Sequence, residues 1–226
     1  MTEIFTTKHH AYVNIVNKSN RPISYVAVGH KYSDNIPNKF SFKGPIAPGE
    51  EAELDKNVNK VTYNTGIATT GRDWWVVTWC YEDGEKESFV TDPHNYRAIL
   101  DVFEWPIHWT AWTIDFVTGG FLEKLPGWLE GIGLESKWLA EVCESATKAQ
   151  KLKKVAAILA CATIVAKVTN TATTSGFKQH ILREDDSNKT TKIEIDCHNN
   201  VTFRSHSGKS ETVSSRIKVP KLPDLD

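Results

Sequence analysis

Through the first hundred residues, apolar positions recur every second residue in short runs separated by turn formers, the pattern of strands with one buried face. Ala11–Asn17 and Ile23–His30 are rich in Val, Ile and Tyr, with Asn20-Arg21-Pro22 turning the chain between them. Pro45 and the Pro48-Gly49 pair break up the following stretch. Trp74–Tyr81 and Lys86–Thr91 flank Glu82-Asp83-Gly84-Glu85, and because Asp-Gly readily supplies a positive φ, the text predicts a hairpin. Asp92-Pro93 ends it, and Ala98–Phe103 resumes an apolar, strand-like run. Near the C-terminus Lys192–Asp196 alternates with Ile193 and Ile195 on one face, and Val201 and Phe203 continue after an Asn199-Asn200 turn. Many short strands with frequent turns predict a mainly β chain, an antiparallel β-sandwich.

The middle of the chain changes period. Trp105, Trp109, Trp112 and Phe116 fall at i, i+4, i+7 and i+11, one stripe of a helix with Pro106 in its first turn and Gly119-Gly120 as its stop. More helical text runs from Glu135 to Ala149, with Trp138, Leu139, Val142 and Ala146 on one side. Lys148, Lys151, Lys153 and Lys154 then lead into Val155–Ala166, a run without charge. Crossing a bilayer takes about 20 apolar residues, so this run is too short to span one. The resulting organisation is a single β-sandwich domain over residues 1–226 with a helical insertion at 105–170.

Composition sharpens this picture. The chain has 27 Lys+Arg against 28 Asp+Glu, a formal charge of −1, which argues against nucleic acid as a partner because such binding needs a basic face. The first ten residues lack a secretory apolar stretch, so a cytoplasmic location is expected, with unconventional release as the other route. Under that expectation the sequons at Asn17, Asn188 and Asn200 carry no weight. Cys80, Cys143, Cys161 and Cys197 form no CxxC pair and read as reduced, mostly buried thiols.

Few residues suggest chemistry. There is no nucleophile elbow, Walker loop, dinucleotide fingerprint or HExxH motif, so no catalytic residue and no cofactor is assigned. Cys197-His198 with His206, and His9-His10, are weak metal candidates that read more simply as solvated or hydrogen-bonded side chains, and no metal site is expected. Glu184-Asp185-Asp186 has the oxygen ligands calcium would use, yet reads as a solvated acidic turn. Arg72 and Asp73 either orient a polar head group or pair with one another to support the hairpin. All eight tryptophans lie between Trp74 and Trp138. The stripe of Trp105, Trp109, Trp112 and Phe116 either clamps a helix onto the sheet or reaches a lipid interface, where indole suits both phases. Near an anionic surface the four lysines would add about 1 kcal/mol each; in the plainer reading they stay in water.

A specific resemblance rests on four segments: His30–Asn35, Val61–Gly66 running into Thr70–Trp79, Thr91–Arg97 and Ser175–Glu184. They resemble a family of filamentous-fungal proteins that is similar to the nematode PUD domain, named for proteins that rise in long-lived mutants, and more distantly to the aegerolysins. The likeness covers residues 11–104 and 174–215. It implies a β-sandwich without established enzyme activity, and, through the aegerolysins, recognition of sphingolipid-rich membranes, in some cases with a pore-forming partner. Trp74, Trp75 and Trp79 belong to the shared motif; strand alternation puts Trp75 and Trp79 on one face and Trp74 on the other. The leading expectation is therefore a non-enzymatic protein that binds lipid or a membrane surface. Its ligand candidates are Trp105, Trp109, Trp112, Phe116, Arg72, Asp73, Trp75 and Trp79, and its membrane-surface candidates Lys148, Lys151, Lys153 and Lys154. Two alternatives stand beside it: binding or conversion of a small apolar molecule in a Trp-lined pocket formed with the insertion, and a homo- or hetero-oligomeric structural protein.

Overall fold

The computed structural model describes residues 6–33, 36–67, 69, 71–82, 87–92, 130–144, 148–171 and 173–217. Within them the chain begins with β1 (Thr7–Lys18), β2 (Ile23–Tyr32), β3 (Ile36–Ile46), β4 (Glu51–Ala52), β5 (Lys60–Thr65), β6 (Asp73–Tyr81) and β7 (Ser88–Thr91). Two helices follow, α1 (Ser136–Glu144) and α2 (Lys148–Thr169). The chain returns to strands with β8 (Lys178–Gln179), β9 (Thr190–Asp196), β10 (Val201–Arg204), β11 (Lys209–Thr212) and β12 (Ser214–Ile217).

The strands form two sheets. One runs β11-β10-β9-β1-β4, with β5 also on β1; the other runs β12-β7-β6-β2-β3, with β8 also on β6. The parallel pairing of β1 with β9, Ile15 opposite Ile193, joins the first and last strand blocks in one sheet. The expected hairpin is present as the antiparallel β6–β7 pair, Thr78 opposite Val90. The run Ala98–Phe103 and the stripe Trp105, Trp109, Trp112 and Phe116 lie outside the described residues.

The β6 alternation follows the pleat. Trp75, Val77 and Trp79 point between the sheets with Val13, Ile15, Val26, Val28, Ile193, Ile195 and Phe203. Trp74, Val76 and Cys80 point the other way, onto a second core built with α2. The molecule is thus layered sheet, sheet, helix, and β2, in the middle layer, is buried along its whole length. A strand covered on both faces needs apolar or internally paired side chains at every position.

Helix α2 is core. Every residue from Val155 to Ala166 is at most 7% exposed, so the uncharged run is packed within the protein. No helix among the described residues is long and apolar enough to cross a membrane. Gly29 of β2 makes the close seat: a Cβ there would lie 2.5 Å from Thr169 Cγ2 and 2.8 Å from Val76 Cγ1. Just past the helix end, buried Lys31 donates to the carbonyls of Thr171 and Thr173 and sits 5.1 Å from the Phe177 ring centroid. A cation there suits the negative end of the helix dipole and satisfies carbonyls of the segment that follows the helix.

Candidate functional site

Of the residues singled out in the sequence, those that are described do not converge. Trp75 and Trp79 are fully buried between the sheets. The Trp75 indole N–H donates to the His180 carbonyl at 2.9 Å and its ring lies 5.8 Å from Phe203; Trp79 stacks on Phe89 at 5.4 Å. Arg72 is exposed, while Asp73, the next residue, is 1% exposed and faces the core. The expected Arg72–Asp73 pair is not what forms: the partner of Asp73 is His30. The reason is the pleat, which sends neighbouring side chains at the start of a strand to opposite sides. Among the lysines, Lys154 pairs with Glu82, which also accepts the Ser24 hydroxyl, and Lys153 is half-buried and engaged. The side chains of Lys148 and Lys151 lie outside the described residues.

His30 and Asp73 together look like the orienting half of a catalytic triad, but their surroundings make them a brace. His30 Nε2 is 2.8 Å from Asp73 Oδ1 and His30 Nδ1 is 3.3 Å from Asn38 Oδ1. The second Asp73 oxygen accepts the Leu182 N–H at 2.8 Å, and Asn38 Oδ1 accepts the Thr62 N–H at 3.0 Å. Trp75 covers the imidazole at 4.3 Å between ring centroids, and His30 is fully buried. Both ring nitrogens are engaged and both side chains are buried, so the chain of polar contacts ties β2, β3, β5 and β6 to the Leu182 segment.

His180 is held differently. Its Nδ1 is 2.9 Å from the Ser210 hydroxyl, its ring stacks 5.7 Å from Phe203, and its Nε2 has no hydrogen-bond partner among the described residues. Burial disfavours the charged ring and holds its pKa down at about 4. The acidic run forms a single 3-10 turn, Glu184–Asp186, rather than a fully solvated loop. Burial alone would push the Asp186 carboxyl up; donation from the Ser207 hydroxyl and from the Arg183 and Ser207 N–H groups holds it below its ordinary value. Among the described residues no group of three or more His, Cys, Asp or Glu side chains is placed to hold a metal.

What does assemble is a groove along one edge of the sandwich, a concavity of about 850 Å³. Trp74 of β6 and the segment Thr174, Ser175, Phe177, Lys178 and Gln179 line one part of it. Asp196 and Asn200 from the β9–β10 turn, Thr202 of β10 and Glu211, Thr212 and Val213 at the crossing from β11 to β12 line the rest, with Asp92. The local chain explains the geometry. β7 and β8 share one edge of β6, β7 against Thr78–Cys80 and β8 against Trp74–Trp75, which leaves a gap between them. Val213 is the single residue by which the chain leaves one sheet for the other, and its carbonyl accepts the Asp92 N–H at 2.9 Å.

Several groove groups are fixed in advance. Asp92 accepts the Ser215 hydroxyl at 2.7 Å. Asp196 accepts the N–H groups of His198 and Asn200 at 2.9 and 2.8 Å and the Asn200 side-chain amide at 3.2 Å, with Asn199 at φ 63 in the turn. Trp74 is half-buried, its inner side on the helix-side core. The lining therefore joins an aromatic surface, oriented carboxylates and neutral hydrogen-bonding side chains. Sequence reading assigned none of this set to a site: Trp74 entered only as the motif tryptophan facing away from Trp75 and Trp79, and the groove residues come together through the sheet crossing, although Ser175–Gln179 lies within a segment that carried the resemblance.

No curated protein matches this chain. The model of the family described as "Up-Regulated in long-lived daf-2" matches residues 7–214, from the first strand to the sheet crossing that borders the groove. The chain belongs to that family, the PUD family.

Proposed function

We propose that this PUD-family sandwich is a non-enzymatic binding protein that takes a polar head group, presented at a lipid surface, in the groove at its edge. The observation that carries this reading is the groove itself: Trp74 beside oriented polar groups, in a concavity large enough for a small ligand. The resemblance to aegerolysins supports the lipid setting. The contact assigned here differs from the one the sequence suggested first. Val155–Ala166 has no exposed face to offer a membrane, and Lys154 is already paired with Glu82. The groove carries Asp92, Asp196 and Glu211 against Lys178, and even with Glu211 paired to Lys209 the acidic excess that remains favours net-neutral head groups over anionic ones.

Flotation with vesicles of sphingolipid-rich, neutral and anionic composition tests this. The expected result is co-flotation with the sphingolipid-rich or neutral vesicles, reduced at least several-fold by Trp74→Ala or Gln179→Ala and unchanged by Lys153→Ala. Failure to float with any of the three mixtures contradicts the reading.

A further inference from the structure

We propose that the ligand of the edge groove is a neutral saccharide, two or three pyranose rings long. This rests on the groove being the binding site and names what it takes.

A pyranose presents two kinds of surface at once. One face carries axial C–H groups of slight positive charge, which suit the negative face of an indole; the rim carries hydroxyl pairs that both donate and accept. The groove supplies the complement of each. Trp74 gives a half-buried indole anchored from behind by the helix-side core, so little freedom is lost on stacking. Asp92, aimed by Ser215, keeps acceptor positions for two adjacent hydroxyls, and Asp196, held by three N–H groups of its own turn, keeps one. Gln179 and Asn200 bring amides that match a hydroxyl whether it donates or accepts, and Thr202 and Thr212 extend the polar line toward the crossing.

Charge and size narrow the class. The lining carries Asp92, Asp196 and Glu211 against Lys178, and with Glu211 paired to Lys209 a smaller carboxylate excess still disfavours phosphate, sulfate and uronate groups, which would meet like charge. A concavity of about 850 Å³ exceeds what one ring fills and falls near the upper part of the range, about 300–1,000 Å³, that holds drug-sized ligands. Neutral sugar reaches such a groove from two sources, the head group of a glycolipid or a soluble glycan, and the chemistry of recognition is the same.

The test uses the full chain and saturation-transfer NMR with lactose, cellobiose, chitobiose and methyl glycosides of glucose, galactose and mannose, followed by titration of any binder. The expected result is binding of at least one disaccharide, more tightly than of the single rings, weakened about tenfold or more by Trp74→Ala and retained by Trp74→Phe. Gln179→Ala, a change outside both cores, should weaken it several-fold without altering the unfolding midpoint. Flotation with phosphatidylcholine vesicles, with and without glucosylceramide or galactosylceramide, separates the sources. Soluble-sugar binding without flotation on either glycolipid upholds the saccharide site and removes the lipid setting. Equal flotation on sugar-free vesicles with no sugar bound overturns the saccharide and leaves the head-group reading standing. Perturbation of the groove by phosphocholine, and by none of the sugars, overturns it in favour of a cationic head group.

Discussion

Cys80 and Cys161 face one another inside the helix-side core, and neither forms a disulfide. The hydrogen bond with Cys161, and then burial, push the Cys80 thiol well above its ordinary value, so the nucleophilic thiolate is suppressed. Cys197 is exposed on the β9–β10 turn, with His198 Nδ1 3.5 Å from its sulfur. In a Cys143→Ser background, iodoacetamide at neutral pH should label Cys197 within minutes and label Cys80 and Cys161 only in denaturant. Mass spectrometry of peptide digests reads this directly. Rapid native labelling of Cys80 would mean that the sheet–helix layer opens far more easily than its packing implies.

At the level of the element, the seat of α2 on the central sheet is the packing most open to attack by a small substitution. A methyl group on residue 29 would drive into Thr169 and Val76, both in the buried interface. Gly29→Ala is expected to cost about 1–3 kcal/mol, the range for overpacking a filled core, measured from urea unfolding. An unchanged midpoint would show that the helix shifts without penalty. Period and alternation carried far into the elements here. Trp74 packs on the helix-side core while Trp75 and Trp79 lie between the sheets, as strand alternation requires, and Ile23–His30 and Lys192–Asp196 lie within strands. β3 is obscured because Pro45 and the Pro48-Gly49 pair read as breakers, and an edge strand tolerates a proline since, among the described residues, its ladder partners lie on one side alone. Two-residue strands such as β4 and β8 carry no period at all. The all-round burial of Val155–Ala166 was ambiguous between membrane surface and core, for both want an uncharged run.

For the whole molecule, acid should erode stability in two stages. The His180 imidazole sits at about 4 in the native state against 6.5 for an unperturbed ring. Between those values the unfolded chain binds a proton that the native chain does not, so stability falls as pH drops from about 6.5 to 4 and levels once the native ring also protonates. The full loss is on the order of 3 kcal/mol. A second stage begins below about 4.5, as Glu194 and Glu51 lose their charge: burial alone would push both up, but Arg204 and Lys18 hold Glu194 down, and Lys192 and Asn14 hold Glu51 down. Urea midpoints at pH 7, 6, 5 and 4 should fall for the natural chain, and His180→Gln should remove most of the slope above pH 4.5. An equal slope in both proteins would place the titrating group elsewhere.

The groove is also a property of the whole molecule, since its walls come from β6, the β8 segment, the β9–β10 turn and the β11–β12 crossing. No local pattern could disclose it: Gln179, Asn200 and Thr212 are ordinary polar residues until two sheets bring them to one edge. The most direct measurement is therefore a map of backbone and indole N–H shifts of the isotope-labelled full chain on adding sphingolipid-containing nanodiscs. The account predicts changes concentrated at Trp74, Lys178, Gln179, Asn200, Thr202 and Thr212. Changes confined to Lys148–Lys154, with those six signals unmoved, would contradict it.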